Sequence, residues 1–274
     1  MLRALVFLLL ALVLAPAALA AKCPTVSSGK LTVGTDNPAY PPWFGGNPPS
    51  GSPWKVSDPR SGEGFEAAVA YAVASKLGFK STQVEWKYVP FNRSFAPGSK
   101  PFDFDINQIS YTPARAKVVT FSNSYYDVNQ ALVVLAGTKI AAVRSRDGLK
   151  PFKLGAQLGT TSYAYIKDVI RPSKQPAVYQ QNAAAVQALK NKQIDGLVVD
   201  LPTAFYVSAA QVQNSKVRQF PVTPGGEHFG MVFAKGNPLA VCVNGALARL
   251  KANGQLAGIQ QQWLAKATGA PVLK

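Results

Sequence analysis

The stretch 105–126 reads Asp105-Ile-Asn-Gln-Ile-Ser110-Tyr-Thr-Pro-Ala-Arg115-Ala-Lys-Val-Val-Thr120-Phe-Ser-Asn-Ser-Tyr-Tyr126. It opens as a short strand, passes through a polar turn and presents one arginine just beyond Ser110 and Thr112. Hydroxyls, backbone N–H groups and a guanidinium thus collect near one strand end. That donor set suits a small carboxylate, because a guanidinium grips both carboxylate oxygens at once. Arg115 is the candidate for the carboxylate, against the alternative of a surface arginine paired with a nearby acid. Asn107, Gln108 and Ser110 can supply further hydrogen bonds, or serve only as turn caps.

Working outward, strand-like and helix-like segments alternate, which points to α/β. Strands are predicted over 31–35, 84–89, 104–109, 131–135, 153–157, 177–179, 196–199 and 229–233. A helix is predicted over 65–77, where Phe65, Val69, Ala72, Val73 and Leu77 form one stripe and Gly78 ends it. Further helices follow Gly159, span 182–190, follow Pro202, and close the chain over 238–251 and 255–266. The loop 45–64 is rich in Pro, Gly and Ser and too long for a simple connection, so a functional or mobile role is expected. The pattern reads as two lobes joined by two crossings, near 130–134 and 229–233.

The first residues read as an export signal. Arg3 precedes an apolar run over 4–14, and Ala18-Leu19-Ala20 offers a small-x-small cleavage pattern. A signal peptide over 1–21 is expected, cut near Ala20 or Ala21, with a periplasmic destination. Lys22 before Cys23 argues against a lipoprotein site. Apolar residues make up 47% and charged residues only 15% of the chain, which indicates a globular rather than a disordered protein. The net charge of +16 comes from singly scattered Lys and Arg. Nucleic-acid binding is therefore not expected, since it needs a clustered basic face. Two cysteines in an exported chain invite one disulfide, Cys23 to Cys242. A zinc site is not expected from two Cys and one His, and no cofactor is expected.

The same segments, in order, resemble the bacterial solute-binding proteins of the polar amino-acid ABC-transporter type, family 3. The resemblance rests on Val33-Gly-Thr-Asp36 with Ala39-Tyr-Pro-Pro42, Gly64-Phe-Glu66, and Thr112-Pro-Ala-Arg115 before Phe121-Ser. It continues through Gln157-Leu-Gly-Thr-Thr161, Gln193-Ile-Asp-Gly-Leu-Val-Val-Asp200 and the closing stretch from Asn237-Pro238 to Trp263-Leu264. It implies a two-lobe periplasmic-binding-protein (Venus flytrap) fold, each lobe a central sheet flanked by helices, with two hinge crossings. Lobe 1 would comprise 22–131 and 229–274, and lobe 2 would comprise 132–228. Both cysteines would then lie in one lobe. Ala114, Thr120 and Ser124 depart from the family pattern, where acids and a Pro are usual.

The implied function is capture of a small L-amino acid between the lobes and its delivery to membrane ABC permease subunits, by a monomer. Gly159-Thr160-Thr161 would present N–H groups to the ligand carboxylate, or merely cap a helix. Asp200, ending an apolar strand, would accept the α-ammonium, or cap the helix opened by Pro202. Asp36 would meet a ligand amine or polar side chain, or shape a turn. Tyr40 would stack on the ligand side chain, with Trp43 an alternative and Phe44 read as packing. Asp105 would line the cleft and set specificity. The alternatives are a dehydratase on the same fold, with Asp36, Glu63 or Asp105 as general acid, and a sensor subunit. Neither a Gly-x-Ser-x-Gly element nor a Gly-rich phosphate loop occurs, and the single His, His228, lies beside the expected hinge.

Overall fold

The computed structural model describes residues 23–222, 226–265 and 269–273. The expected signal peptide and its cleavage site lie outside the described residues, as does the expected end of the last helix at Lys266. Twelve strands run in chain order: β1 Leu31–Thr35, β2 Val84–Tyr88, β3 Phe104–Asp105, β4 Val119–Phe121, β5 Tyr126–Asp127 and β6 Gln130–Leu135, then β7 Leu154–Gln157, β8 Ala177–Tyr179, β9 Gly196–Asp200, β10 Ser215–Gln219, β11 His228–Phe229 and β12 Val232–Ala234. The first lobe holds the sheet β2-β1-β3-β12-β4 and the second holds β10-β6-β9-β7-β8.

The second sheet shows why its strands read as unbroken apolar runs. On β6, Ala131 and Val133 face one core with Leu189, Leu197 and Val207. Leu132 and Val134 face the other with Leu154, Ile166 and Val198. Side chains alternate across a sheet, so a strand covered on both faces must be apolar at every position. In the first lobe, helix Phe65–Lys76 packs against helices Leu239–Ala252 and Gln255–Leu264. Its predicted stripe is buried from Phe65 to Val73, with Leu77 partly buried beside it.

Several sequence expectations shift. Gly196 to Val199 extends to Asp200, and 182–190 is helical as expected. The predicted strand over 104–109 pairs only at Phe104–Asp105. Beyond it Gln108 turns left-handed, at φ 48°, and donates its backbone N–H to Glu66 Oε1 at 2.7 Å. The predicted strand over 229–233 divides in two around Gly230. The crossings lie beside the expected stretches, the second overlapping its start: β5 and β11 pair antiparallel between the lobes, Tyr126 opposite Phe229 and Asp127 opposite His228. Strand β6 already belongs to the second sheet and β12 to the first. The C-terminal residues do not stay with lobe 1 as the expected 229–274 boundary had it. Ala270 and Leu273 pack into the cores of the second lobe, and Leu273 N–H donates to the Gln219 carbonyl at 2.9 Å. Strand β10, Ser-Lys-Val-Arg-Gln, was not expected, because an edge strand of mostly polar residues lacks the apolar signal.

The long loop is tied down rather than loose. Asp58 N–H donates to the carbonyls of Gly45 and Gly46, Arg60 binds the Asp58 carboxylate, and Trp54 is buried. At Gly64, φ is 92° and a Cβ would lie 2.4 Å from the Phe44 backbone, so only glycine suits this return of the loop. It brings Phe65 N–H to the Pro42 carbonyl and Glu66 N–H to the Trp43 carbonyl, each at 2.9 Å. These bonds satisfy the first donors of the helix without a side-chain cap.

Cys23 and Cys242 form a disulfide that ties the start of the described chain to helix Leu239–Ala252. Intact-mass spectrometry of non-reduced protein is expected to show no alkylatable thiol, with two appearing after reduction. Free thiols in native protein would contradict the bond.

Glu66 is fully buried and takes hydrogen bonds from Gln108 N–H, Gln108 Nε2 and the Tyr125 hydroxyl. Burial pushes its carboxyl from 4.5 up to about 7. A raised acid binds its proton more tightly folded than unfolded. Stability is therefore greatest near and below pH 4.5 and falls as pH rises towards 7, by on the order of 3 kcal/mol. Glu66→Gln removes this dependence. The melting temperature of Glu66→Gln relative to wild type is expected to climb between pH 4.5 and 8. A difference constant with pH would contradict the assignment.

Candidate ligand-binding site

The cleft between the lobes has a cavity volume of about 110 Å3. Of the nine expected ligand residues, Asp36, Tyr40, Asn107, Gln108, Ser110, Thr160, Thr161 and Asp200 line it. Arg115 is not in its wall but lies just behind it. The lobes meet around this cavity. Trp43 Nε1 donates to Thr203 Oγ1 at 2.9 Å, Tyr40 leans on Tyr206 with ring centroids 6.1 Å apart, and the hydroxyls of Ser110 and Thr161 stand 3.3 Å apart.

Arg115 follows Thr112, which caps its short helix, Pro113–Ala116, by accepting from Arg115 N–H at 3.1 Å. The guanidinium rests 4.2 Å from the Phe95 ring centroid. Nη1 donates to the Ser110 carbonyl at 2.6 Å, and Nη2 reaches the other lobe to donate to the Gly159 carbonyl at 2.8 Å. One N–H group thus holds a carbonyl of its own lobe and another crosses to the second lobe. A guanidinium carries five donors, so others remain. Burial lowers its pKa to about 10, which leaves it cationic at neutral pH.

Asp200 ends β9 and stands at the N-cap position of helix Leu201–Tyr206, yet its side chain makes no capping bond. The capping alternative therefore fails. Its carboxylate takes a hydrogen bond from Gln130 Nε2 at 2.8 Å. Burial first, and the Glu227 carboxylate second, push its pKa well above the usual carboxylate range. A cationic ligand would relieve both.

Thr160 and Thr161 divide the roles foreseen for the turn. Thr160 is a plain cap: its hydroxyl accepts from Tyr163 N–H at 3.1 Å and donates to the Gln157 carbonyl at 2.7 Å. Thr161 instead turns its hydroxyl to the Glu227 carboxylate, as does Ser110. Gln108 spends its amide on Glu66. Asn107 is buried, faces the cleft, and its Nδ2 has no hydrogen-bond partner among the described residues. Asp36 accepts from Asn37 N–H at 2.8 Å, and burial raises its pKa.

Two expectations for neighbouring residues are corrected. Asp105 does not line the cleft; it is fully buried behind it beside Ser94, with neither carboxylate oxygen in a hydrogen bond of good geometry among the described residues. Trp43 and Phe44 contribute to the cavity wall, yet both are buried in the first core, as expected for Phe44. Trp43 packs its ring on Tyr126 and Phe229, with centroids at 5.7 and 5.6 Å, beneath the crossing strands.

Glu227 and Gln130 were not foreseen. Gln130 Nε2 donates to both Asp200 and Glu227 at 2.8 Å, while its carbonyl accepts from the Ser162 hydroxyl at 2.6 Å. Only the start of a β-strand at a lobe boundary could have marked Gln130 in the sequence. Nothing local marks Glu227.

Comparison with known proteins agrees with this architecture. Residues 31–266 match the model of the bacterial extracellular solute-binding proteins, family 3. The chain is 28% identical to the ABC transporter glutamine-binding protein GlnH of Bacillus subtilis (strain 168), over 76% of each chain. An ancestral arginine-binding protein solved with glutamine superposes with a TM-score of 0.71 at 31% identity, covering 86% of this chain and 98% of that one. An ancestral amino acid-binding protein, a precursor of cyclohexadienyl dehydratase, superposes with a TM-score of 0.67 at 29% identity, covering 86% and 95%. With its two sheets, paired crossing strands and polar cleft, the chain belongs to the bacterial extracellular solute-binding proteins of family 3.

Proposed function

We propose that this protein captures a small L-amino acid in the interlobe cleft and presents it to the permease of an ABC transporter. The observation that carries the reading is Asp200: a partly buried carboxylate in the cleft wall that makes no capping bond and has no salt-bridge partner among the described residues, across from donors suited to an anion. In this reading its carboxylate takes the α-ammonium. The remaining N–H groups of Arg115 and the backbone N–H groups of the 160–161 turn take the α-carboxylate. Asp36, Asn107 and Tyr40 form the far end and take the side chain. Asp36 and Asn107 together offer both an acceptor and a donor, so a polar or cationic side chain suits them best.

Binding would be coupled to closure. Ligand contacts from both lobes exist only when the lobes meet, so the ligand favours the closed state by that differential affinity. The capturing halves are 23–129 with 228–265, and 130–222 with 269–273. The protein acts as an exported monomer in the periplasm after cleavage near Ala20 or Ala21. We read no catalysis into the cleft. His228 stacks on Tyr111 at 5.4 Å outside it; of the three candidate acids Glu63 and Asp105 do not line it, and Asp36, which does, is assigned to the ligand side chain. Recovery of a chemically altered ligand after incubation would overturn that part.

Thermal-shift measurement with the standard L-amino acids is expected to find at least one that stabilises the protein; no stabilisation by any of them would sink the reading. For the amino acid so found, Arg115→Ala is expected to weaken binding at least a hundredfold. Leaving a desolvated carboxylate unpaired costs on the order of 3–5 kcal/mol. Calorimetry within threefold of wild type would refute the role of Arg115.

Asp200→Asn keeps the side-chain shape and removes the charge. It is expected to weaken the amino acid much more than its desamino analogue. The raised pKa adds a pH signature: the ammonium needs the ionised carboxylate, so wild-type affinity falls as pH drops through the raised value. Asp200→Asn is expected to lose this dependence. Equal weakening of both ligands would move the ammonium site elsewhere, with Asp36 the next candidate.

A further inference from the structure

Glu227 lies immediately before β11, on the second crossing between the lobes. Its Oε1 accepts the hydroxyl protons of Ser110, from lobe 1, and of Thr161, from lobe 2. Its Oε2 accepts Gln130 Nε2 at 2.8 Å, from the first strand after the other crossing. One carboxylate therefore touches both lobes and the start of the strand that leaves the first crossing. Its three partners lie 117, 66 and 97 residues away along the chain.

Two consequences follow from hydrogen-bond valence. First, a hydroxyl has one proton to give. Ser110 and Thr161 give theirs to Glu227, so neither is a donor to a ligand carboxylate, which is left to Arg115 and to backbone N–H groups. Second, one oxygen shared by both hydroxyls holds them 3.3 Å apart. The lobes cannot separate without breaking at least one of these charge-assisted bonds.

We propose that Glu227 is a positioning residue that latches the two halves of the carboxylate subsite together and so sets how long the cleft stays closed. It does so through Ser110, Thr161 and Gln130 rather than by touching the ligand. The proposal takes from the preceding section the reading that this end of the cleft is the carboxylate subsite.

Glu227→Gln is a sharp probe because of Gln130. A glutamine carbonyl can still accept the two hydroxyls, but its NH2 then faces the Gln130 NH2, donor against donor. Turning Gln130 over to relieve this forfeits its bonds to Asp200 and Ser162. An isosteric change therefore breaks the junction.

The experiment places nitroxide labels on exposed Lys55 and Lys190, one per lobe, and measures interlobe distances by double electron–electron resonance. Ligand-free wild type is expected to show a closed, short-distance population that Glu227→Gln loses, with Thr161→Val losing part of it. Combining the two changes is expected to do no more than Glu227→Gln alone, since both break one junction. In stopped-flow binding with L-arginine and L-glutamine as probes, Glu227→Gln is expected to release a bound probe at least tenfold faster, with association within threefold of wild type. Distance distributions that superimpose for wild type and a folded Glu227→Gln overturn the proposal. If Glu227→Gln does not fold, Thr161→Val decides by the same measurement. The distance arm uses no amino acid, so failure of the amino-acid reading leaves its outcome separately legible.

Discussion

One buried cation, Arg115, faces two partly buried carboxylates, Asp200 and Glu227, at this cleft. Arg115 sits buried behind the cavity, with Glu227 and Asp200 as the acids that sustain its charge. A guanidinium buried without acids would be costly, and so would two acids without a guanidinium. The arrangement still carries one negative charge more than it balances, and that surplus falls on Asp200. An ammonium supplies the missing positive charge and a ligand carboxylate adds a negative one beside Arg115. In the proposed reading Asp200 and Arg115 offer opposite charges to the two ends of a zwitterion, whereas a simple anion would add to the surplus of acid, even though the whole chain carries +16. The net charge acts at long range on the approach of the protein to its surroundings. The local excess of acid decides what the cleft holds.

The fold exists to bring these groups together from distant parts of the chain. Asp200 comes from the end of β9, Arg115 from the turn after β3, and Glu227 from the second crossing. Each lobe core is complete without the other, so the lobes form two bodies rather than one. What joins them is mostly polar: Trp43 to Thr203, Arg115 to Gly159, and the Glu227 junction, beside the single tilted ring contact of Tyr40 with Tyr206. Polar contacts exchange readily with water and each contributes about 1 kcal/mol net. A seam of that kind can open and close, where a packed apolar seam would not. The short β5–β11 ladder and the aromatic packing of Trp43 on Tyr126 and Phe229 keep the pivot firm while it does so.

Much of this was legible in the residue order, and the remainder fails for identifiable reasons. The helices over 65–76 and 182–190 follow from periodicity and from Gly or Asn at their ends. Asp200 stood out because an acid ending the run Gly-Leu-Val-Val breaks an otherwise buried strand. Arg115 was found through its neighbours Ser110 and Thr112, but the sequence suggested a free clamp. The carbonyl of Gly159 that takes one of its N–H groups lies 44 residues away, where local pattern has no reach. Strand 104–109 was overextended because Phe104 and Ile106 alternate like a strand, whereas Glu66 captures the backbone of Gln108 and bends the chain. Glu227 was invisible for the same reason as the Gly159 contact. Its partners are all distant, and an acid in a Gly-rich stretch ordinarily reads as a solvated turn.

The central claim is that Asp200 and Arg115 divide an amino-acid headgroup between the two lobes. A crystal structure with the amino acid that stabilises the protein most tests it directly. The account predicts the α-ammonium within about 3 Å of the Asp200 carboxylate, and the α-carboxylate facing Arg115 and the 160–161 turn, at ordinary hydrogen-bond distances. A ligand bound in the reverse sense, with its ammonium on Asp36 and its carboxylate away from Arg115, would contradict it.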